Sequence, residues 1–377
     1  MPHRRNFRAY IVLIALLVCA AIILFREHRP SFLRPGLHLN AYVSTTDGSV
    51  AVVDLVSLRV VNRIAVGPGI ADLREHAKRD EIWGVNSAGG FVFVIDAHSN
   101  QLSARLNVGP LPYSLDFSAN GRRAYTTSAA SDQLIAIDCD SHSLAARQKT
   151  DSQPIQARVT PDGKAVLVVN RRSSTLGIYD AETLRRLASI PVISQPDEVV
   201  ITSDNATAFV MSRTQNRLSV VDLERATLLS NLELAGKPST MLLKPDGGEL
   251  YVISPEAHGL QAVNTWTHEV GDSMLLGSEP TNAIIDPFAN DMYVTDRAAS
   301  HVVPLDFVNR RLGRPINVGL QPGVMRFDPT ETGAPSTMLL VADEGSGDLA
   351  VIRTRTYSLL TMIPIGTHPQ RIAVKLF

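Results

Sequence analysis

The sequence predicts an all-β fold, an eight-bladed β-propeller of four-stranded blades preceded by one N-terminal transmembrane helix. Three observations predict it: an apolar strand ending in Asp that recurs at fixed spacing, a column of prolines behind it, and one unbroken apolar run near the N-terminus. Aligning Asp54, Asp96, Asp138, Asp180, Asp222, Asn264, Asp306 and Arg353 gives six intervals of 42 residues and a last one of 47. Sixteen residues after each marker stand Pro112, Pro154, Pro196, Pro238, Pro280, Pro322 and Pro369, with Ile70 breaking the column. Self-similarity at such a period is the signature of a repeat architecture.

The N-terminal elements come first. Residues 1–9 carry Arg4, Arg5 and Arg8, and residues 10–25 follow as 16 unbroken apolar residues. That run spans roughly 24 Å as a helix, and flanking arginines snorkel across the rest of a hydrocarbon core. Positive charge is denser before the run than after it, which puts the N-terminus in the cytoplasm and the repeats in the periplasm or extracellular space. A cleaved signal peptide is the alternative, but Ala20 and Ala21 are followed by four more apolar residues, so no small-residue cleavage site closes the run. A lipid on Cys19 is a third reading, opposed by Val18 before it. Residues 26–40, with Pro30, Pro35 and Gly36, read as a juxtamembrane linker, and residues 41–377 as the propeller.

Within each repeat, the strand before the marker is apolar with period two, as at Val50 and Val52 or Leu176 and Ile178. Ten and twelve residues after the marker come Ile64 and Val66, Leu106 and Val108, Ile190 and Val192, a second strand. The third follows the proline, as in YSLDF at 113–117, and ends at turns such as PDG at 161–163 and 245–247. The fourth opens with an aromatic or leucine, at Trp83, Tyr125, Leu167, Phe209, Tyr251, Tyr293 and Leu340. Four strands per repeat joined by tight turns make a propeller blade, and the period excludes helical repeats. The repeats begin at a second strand and finish on an isolated first strand, 369–377, so both ends should share one blade and leave nothing missing from the ring. The competing count is seven blades plus a partial repeat.

Composition limits the functions. Lys plus Arg number 36 against 37 Asp plus Glu, so no global field favours nucleic acid. Cys19 and Cys139 are the two cysteines, and with one in the apolar run no disulfide staples the propeller.

The segments YVTD at 293–296, YVIS at 251–254 and LVVN at 167–170, each followed by a strand ending in Asp or Asn and, in most repeats, a proline-led loop, resemble the bacterial and archaeal YVTN-repeat β-propellers of surface-layer and periplasmic proteins. The resemblance covers residues 41–377 and implies a binding or scaffold module without a shared catalytic signature. Many members have seven blades, from which a count of eight departs.

The marker aspartates read as hairpin caps, accepting a backbone N–H two residues on. Ligand-binding candidates are instead the residues that vary between blades on the face where the loop before the proline meets the loop after the fourth strand. They are Gln153, Gln156, Gln195, Asp197, Glu198, Asn282, Asp296, His301, Gln321, Asp343, His368 and Arg371, with Glu279 beside them. The polar column Ser44, Asn86, Ser128, Asn170, Ser212, Ser254, Asp296 and Asp343 has a plainer reading as strand-end caps.

Three functions follow as expectations. The first is a non-catalytic binding or scaffold module for a protein, peptide or glycan, tethered outside the cytoplasmic membrane. It rests on the absence of any nucleophile–base pair, Gly-rich phosphate loop or haem-attachment motif, and it needs no catalytic residue and no cofactor. The second is a lactonase or lyase type of enzyme holding a divalent metal on Asp197, Glu198, Asp296 and Asp343. The third is a haem-binding propeller resembling the nitrite reductase haem domain, with an axial ligand among His258, His301 and His368. Three irregularities complete the reading. Pro304 should bulge a central strand, Glu75 should weaken the inner strand that carries it, and the insertion near 328–336 should lie on the face opposite the mouth.

Overall fold

The two middle strands of each blade are buried almost throughout, because each faces a neighbouring blade on both sides, whereas the outermost strand is largely exposed. The computed structural model describes residues 37–330 and 334–377. The transmembrane segment expected at 10–25 lies outside them, and no helix among the described residues is long and apolar enough to cross a membrane.

Eight antiparallel sheets are present. Blades 2 to 8 run in chain order from inner to outer strand; blade 4, for example, comprises Pro154–Val159, Ala165–Asn170, Thr175–Asp180 and Arg186–Pro191. Blade 1 is composite: Leu39–Thr45, Ser49–Asp54 and Arg59–Ala65 receive Pro369–Leu376 as their innermost strand. The innermost strands touch one another in a closed circuit. The eight-blade count and the shared closing blade agree with the spacing of the repeats.

The core lies between blades. Trp83, Val85, Val92 and Val94 of blade 2 pack on Leu115, Ala124, Ile135 and Ile137 of blade 3, and equivalent clusters recur around the ring. Each such side chain contributes about 1.5–3 kcal/mol on burial. Trp83 is wholly buried, donates Nε1–H to Glu81 (2.9 Å) and meets the Phe117 ring edge-on at 5.8 Å.

The marker residues cap the outer hairpins as expected: the N–H of Val56, Asp140, Glu182, Trp266 and Val308 donate to Asp54, Asp138, Asp180, Asn264 and Asp306. Four residues after every marker the backbone turns left-handed, at Leu58, Asn100, His142, Leu184, Ala226, His268, Arg310 and Tyr357. That is the turn-plus-bulge hairpin in which glycine is usual, and the register shifts at the same place in seven blades. Several of these residues use the turn to reach the preceding blade. His142 pairs with Glu81 (3.1 Å), Arg310 with Glu249 (3.0 Å), and the Tyr357 hydroxyl donates to Asp291 (2.8 Å).

Two expectations are corrected. Pro304 makes no bulge: its strand His301–Asp306 keeps an unbroken register against Asp291–Asp296. The missing N–H faces outward instead, where the outer strand is broken into Arg311–Leu312 and Ile316–Asn317. Glu75 does not shorten its strand either. Ile70–Glu75 spans six residues and pairs to its last one, whereas the shortest inner strand is Leu115–Phe117 in blade 3.

Candidate functional site

An inner strand has one neighbour in its own sheet, so half of its backbone N–H groups face the axis of the ring unpaired. This chain satisfies several of them with side chains from the preceding blade. The N–H of Leu115 donates to Asp72 (3.0 Å), that of Ala157 to Ser114 (3.0 Å), that of Val199 to Gln156 (2.8 Å) and that of Val159 to Asp116 (2.9 Å). The donors stand 43 residues after their acceptors, one repeat plus one. These acceptors occupy two positions, two and four residues after the proline column, and those positions form the wall of the central channel.

Charge concentrates there on one side. Arg74 lies 3.1 Å from Asp72 on its own strand and 3.7 Å from Asp116 on the next, and Arg158 reaches Asp116 at 3.9 Å. Arg371 donates Nε–H to the Ala71 carbonyl (2.8 Å). Glu198 pairs with Arg213 at 3.2 Å. On the other side the same position carries Val200 and Leu242. A cavity of about 430 Å³ opens between, lined among others by Arg158, Glu198, Val200, Leu242, Asn282 and Arg326.

Electrostatics follow from burial and pairing. Burial works against the charged form of Asp72, but Arg74, the Leu115 N–H and Arg371 outweigh it and hold the carboxyl below its usual range. Burial likewise opposes the Arg74 cation and is outweighed by Asp72 and Asp116, which raise its pKa. For Glu198 burial wins over Arg213 and the pKa rises. Arg158 is pushed down by burial and then by Arg74, and Arg326 by burial. A guanidinium stays protonated under such pressure, so both remain cations in the channel.

The residues singled out from the sequence divide into three groups. Gln156, Glu198, Asn282 and Arg371 stand on or beside the channel wall. Gln153, Gln195, Gln321 and His368 precede the column prolines with left-handed backbone, on the rim, and His301 opens a strand at the same end. The remaining three are corrections. Asp197, Asp296 and Asp343 are buried, not exposed at the mouth. Asp197 accepts the Arg213 N–H (2.7 Å), Asp296 accepts those of Ser278 and Glu279, and Asp343 accepts that of Gly319 (2.9 Å). Asp296 and Asp343 hold the loop that leads into their own blade, as Asn86, Ser128 and Ser254 do through carbonyls, and Asp197 ties that loop to the one after the second strand. The four carboxylates expected to share a cation do not converge, and among the described residues no three His, Cys, Asp or Glu side chains form a metal-binding group. Burial pushes Asp343 up to about 7, and its second carboxyl oxygen has no partner among the described residues.

Sequence reasoning missed Asp72, Arg74, Asp116, Arg158 and Arg326, because it searched loops rather than inner strands. The signal was present: four residues after the proline column, several repeats are apolar (Val200, Leu242, Ile284) and others carry Arg74, Asp116, Arg158 and Arg326.

Dihydro-haem d1 dehydrogenase NirN, solved in complex with DHE, superposes with a TM-score of 0.75 at 14% identity, over 92% of this chain and 77% of that one. AztD of Citrobacter koseri gives 0.68 at 12% identity over 90% and 98%. A chain of Kuenenia stuttgartiensis hydrazine synthase gives 0.60 at 19% identity over 76% and 96%. At these identities the likeness is one of fold. No curated protein sequence matches the chain. The model of the YNCE-like beta-propeller family matches residues 83–285, more than half of the sequence, and the chain therefore belongs to the YNCE-like beta-propeller family.

Proposed function

We propose that this protein is a non-catalytic binding module of the YVTN-repeat type, tethered by residues 10–25 outside the cytoplasmic membrane. It holds its ligand in the central channel, with Gln156, Glu198, Asn282 and Arg371 on or beside the wall and Gln153, Gln195, Gln321, His301 and His368 on the rim. The rim suits a polar segment of a protein, peptide or glycan. One observation carries the reading: the channel charges are fixed in pairs and in backbone hydrogen bonds, as Asp72 and Asp116 are, which makes them recognition groups rather than a poised nucleophile and base. The test is native mass spectrometry of the full chain purified from its own host. A bound species that leaves unchanged on release supports the reading, and its conversion to a new product on incubation overturns it. Protease added to spheroplasts should digest the propeller; full protection would remove the extracytoplasmic placement.

A second reading, haem binding, has one observation in its favour. His258 Nδ1 contacts the Ser278 carbonyl and His368 Nδ1 the Glu344 carbonyl, each at 2.7 Å. Nδ1 must carry the proton in both, which leaves the Nε2 lone pair available to iron. NirN shares the fold and is described with DHE bound. A Soret band in protein from a haem-replete host supports this reading, and colourless protein that takes up no added haem rejects it.

A further inference from the structure

Arg326 is a channel cation with no carboxylate in ion-pair contact among the described residues, Glu75 and Asp72 acting on it only at longer range. Arg74 is shared between Asp72 and Asp116, Arg158 leans on Asp116, Arg371 is held by backbone carbonyls, and Glu198 is matched by Arg213. Arg326 makes no ion pair and no hydrogen bond among the described residues, yet it lines the cavity of about 430 Å³ together with Arg158. The fold does not require it. Four residues after the proline column, blades 5, 6, 7 and 1 carry Val200, Leu242, Ile284 and Ala373 at the same position. A guanidinium placed where the repeat accepts an aliphatic residue costs desolvation, and an anion that the site recruits offsets it.

The rest of the lining describes the anion. Val200, Leu242 and Leu243 of blades 5 and 6 give an apolar stretch of the lining, with Thr240 and Asn282 beside it and Arg158 and Arg326 on blades 4 and 8 at either end. The volume lies at the small end of organic ligand sites. Glu198 adds a negative charge to the lining, so the site favours a single carboxylate over a polyphosphate. A planar guanidinium fork matches a carboxylate in two parallel hydrogen bonds. We propose that the central cavity binds a carboxylate carried on a small apolar body, with Arg326 at the anionic end and Val200 and Leu242 along the apolar one. The inference rests on the channel being the ligand site.

The full chain in lipid nanodiscs, with empty discs subtracted, is titrated calorimetrically with hexanoate, hexanol, hexylamine and the tripeptide Gly-Gly-Leu bearing a free carboxylate. Hexanoate or the tripeptide should bind, hexanol about tenfold more weakly or worse, and hexylamine not measurably. Whichever acid binds more tightly tells whether the source is a free acid or the end of a chain. Arg326→Val, which installs the residue that blade 5 carries at this position, should keep the melting temperature and lose about tenfold or more in acid affinity. Arg326→Lys, keeping charge without the fork, should fall between. Binding of neither acid, hexanol binding as tightly as hexanoate, or Arg326→Val binding like wild type would overturn the proposal. If hexylamine binds, or Arg326→Val keeps the species found by native mass spectrometry, the carboxylate assignment fails while the binding module stands.

Discussion

Asp72 in the inner strand of blade 2 accepts the backbone N–H of Leu115 in the inner strand of blade 3, at 3.0 Å. One carboxylate thus closes a gap between two sheets while its other contacts hold Arg74. Asp72→Ala removes both functions and leaves a buried donor unpaired, which costs about 1–3 kcal/mol of stability in a denaturant titration. Asp72→Asn, which keeps an acceptor, should lose less.

The same residue predicts a pH dependence. Its folded pKa lies below its ordinary value, so the stability it supplies is complete above about pH 4 and disappears as pH falls through the depressed folded value. The gap between wild type and Asp72→Asn should therefore be level from pH 7 to about 4 and close below that. A gap that persists at low pH would mean that Asp72 acts through shape, not charge.

Asp343 works in the opposite sense. Burial lifts its pKa to about 7, and one of its oxygens is unpartnered. As pH rises from about 4 the unfolded chain gives up this proton while the folded chain holds it, so stability declines up to about pH 7 and then levels. Asp343→Asn should remove that decline, gaining up to about 4 kcal/mol over wild type at pH 8 relative to pH 4. Equal melting temperatures for the two proteins across that range would refute the assignment.

The left-handed hairpin residues separate strain from usefulness. Ala226 has φ of 53° and no polar contact with the preceding blade, so Ala226→Gly should stabilise by about 0.5–1 kcal/mol, less whatever its methyl packing contributes. Tyr357 has φ of 49° but donates to Asp291 and sets its ring at a tilt beside Tyr293, so Tyr357→Gly should destabilise in spite of the relieved backbone. Thermal unfolding of the two variants decides both signs.

Blade 1 depends on its borrowed strand. Pro369–Leu376 pairs with Leu39–Thr45, and Lys375 donates to the His76 carbonyl of blade 2 (2.9 Å). Deleting 369–377 opens the ring, and the truncated protein should lose its cooperative melting transition. A sharp transition near the wild-type temperature would show that the ring does not need closing.

Much of the fold was legible because its determinants are local. The marker aspartates, the proline column and the two-residue alternation each act within one repeat, and Pro304 misled only over which side of the strand its missing N–H would face. Asp296 and Asp343 misled more, since an acid at a strand end looks the same whether it meets solvent or the N–H groups of Ser278 or Gly319. The hairpin geometry was hidden because Leu58, Ala226 and Tyr357 are not turn-forming types. The channel escaped because its charges are paired across blades. Arg74 and Asp116 become partners only once two inner strands lie side by side.

The closing strand also sets an order of assembly. Its partners in blade 1 lie more than 300 residues earlier in the chain, as in Thr45 against Pro369, and contacts of such separation form late and slowly. Repeats can stack on their neighbours as soon as they exist, so a growing chain builds an open arc long before it builds a ring. In that arc Arg371 has yet to meet Ala71 and the charged side of the channel still faces water. The wall of the channel is therefore closed only by the last step of folding, and until then a ligand held on blades 4 to 8 is open to water on the side where blade 1 is incomplete.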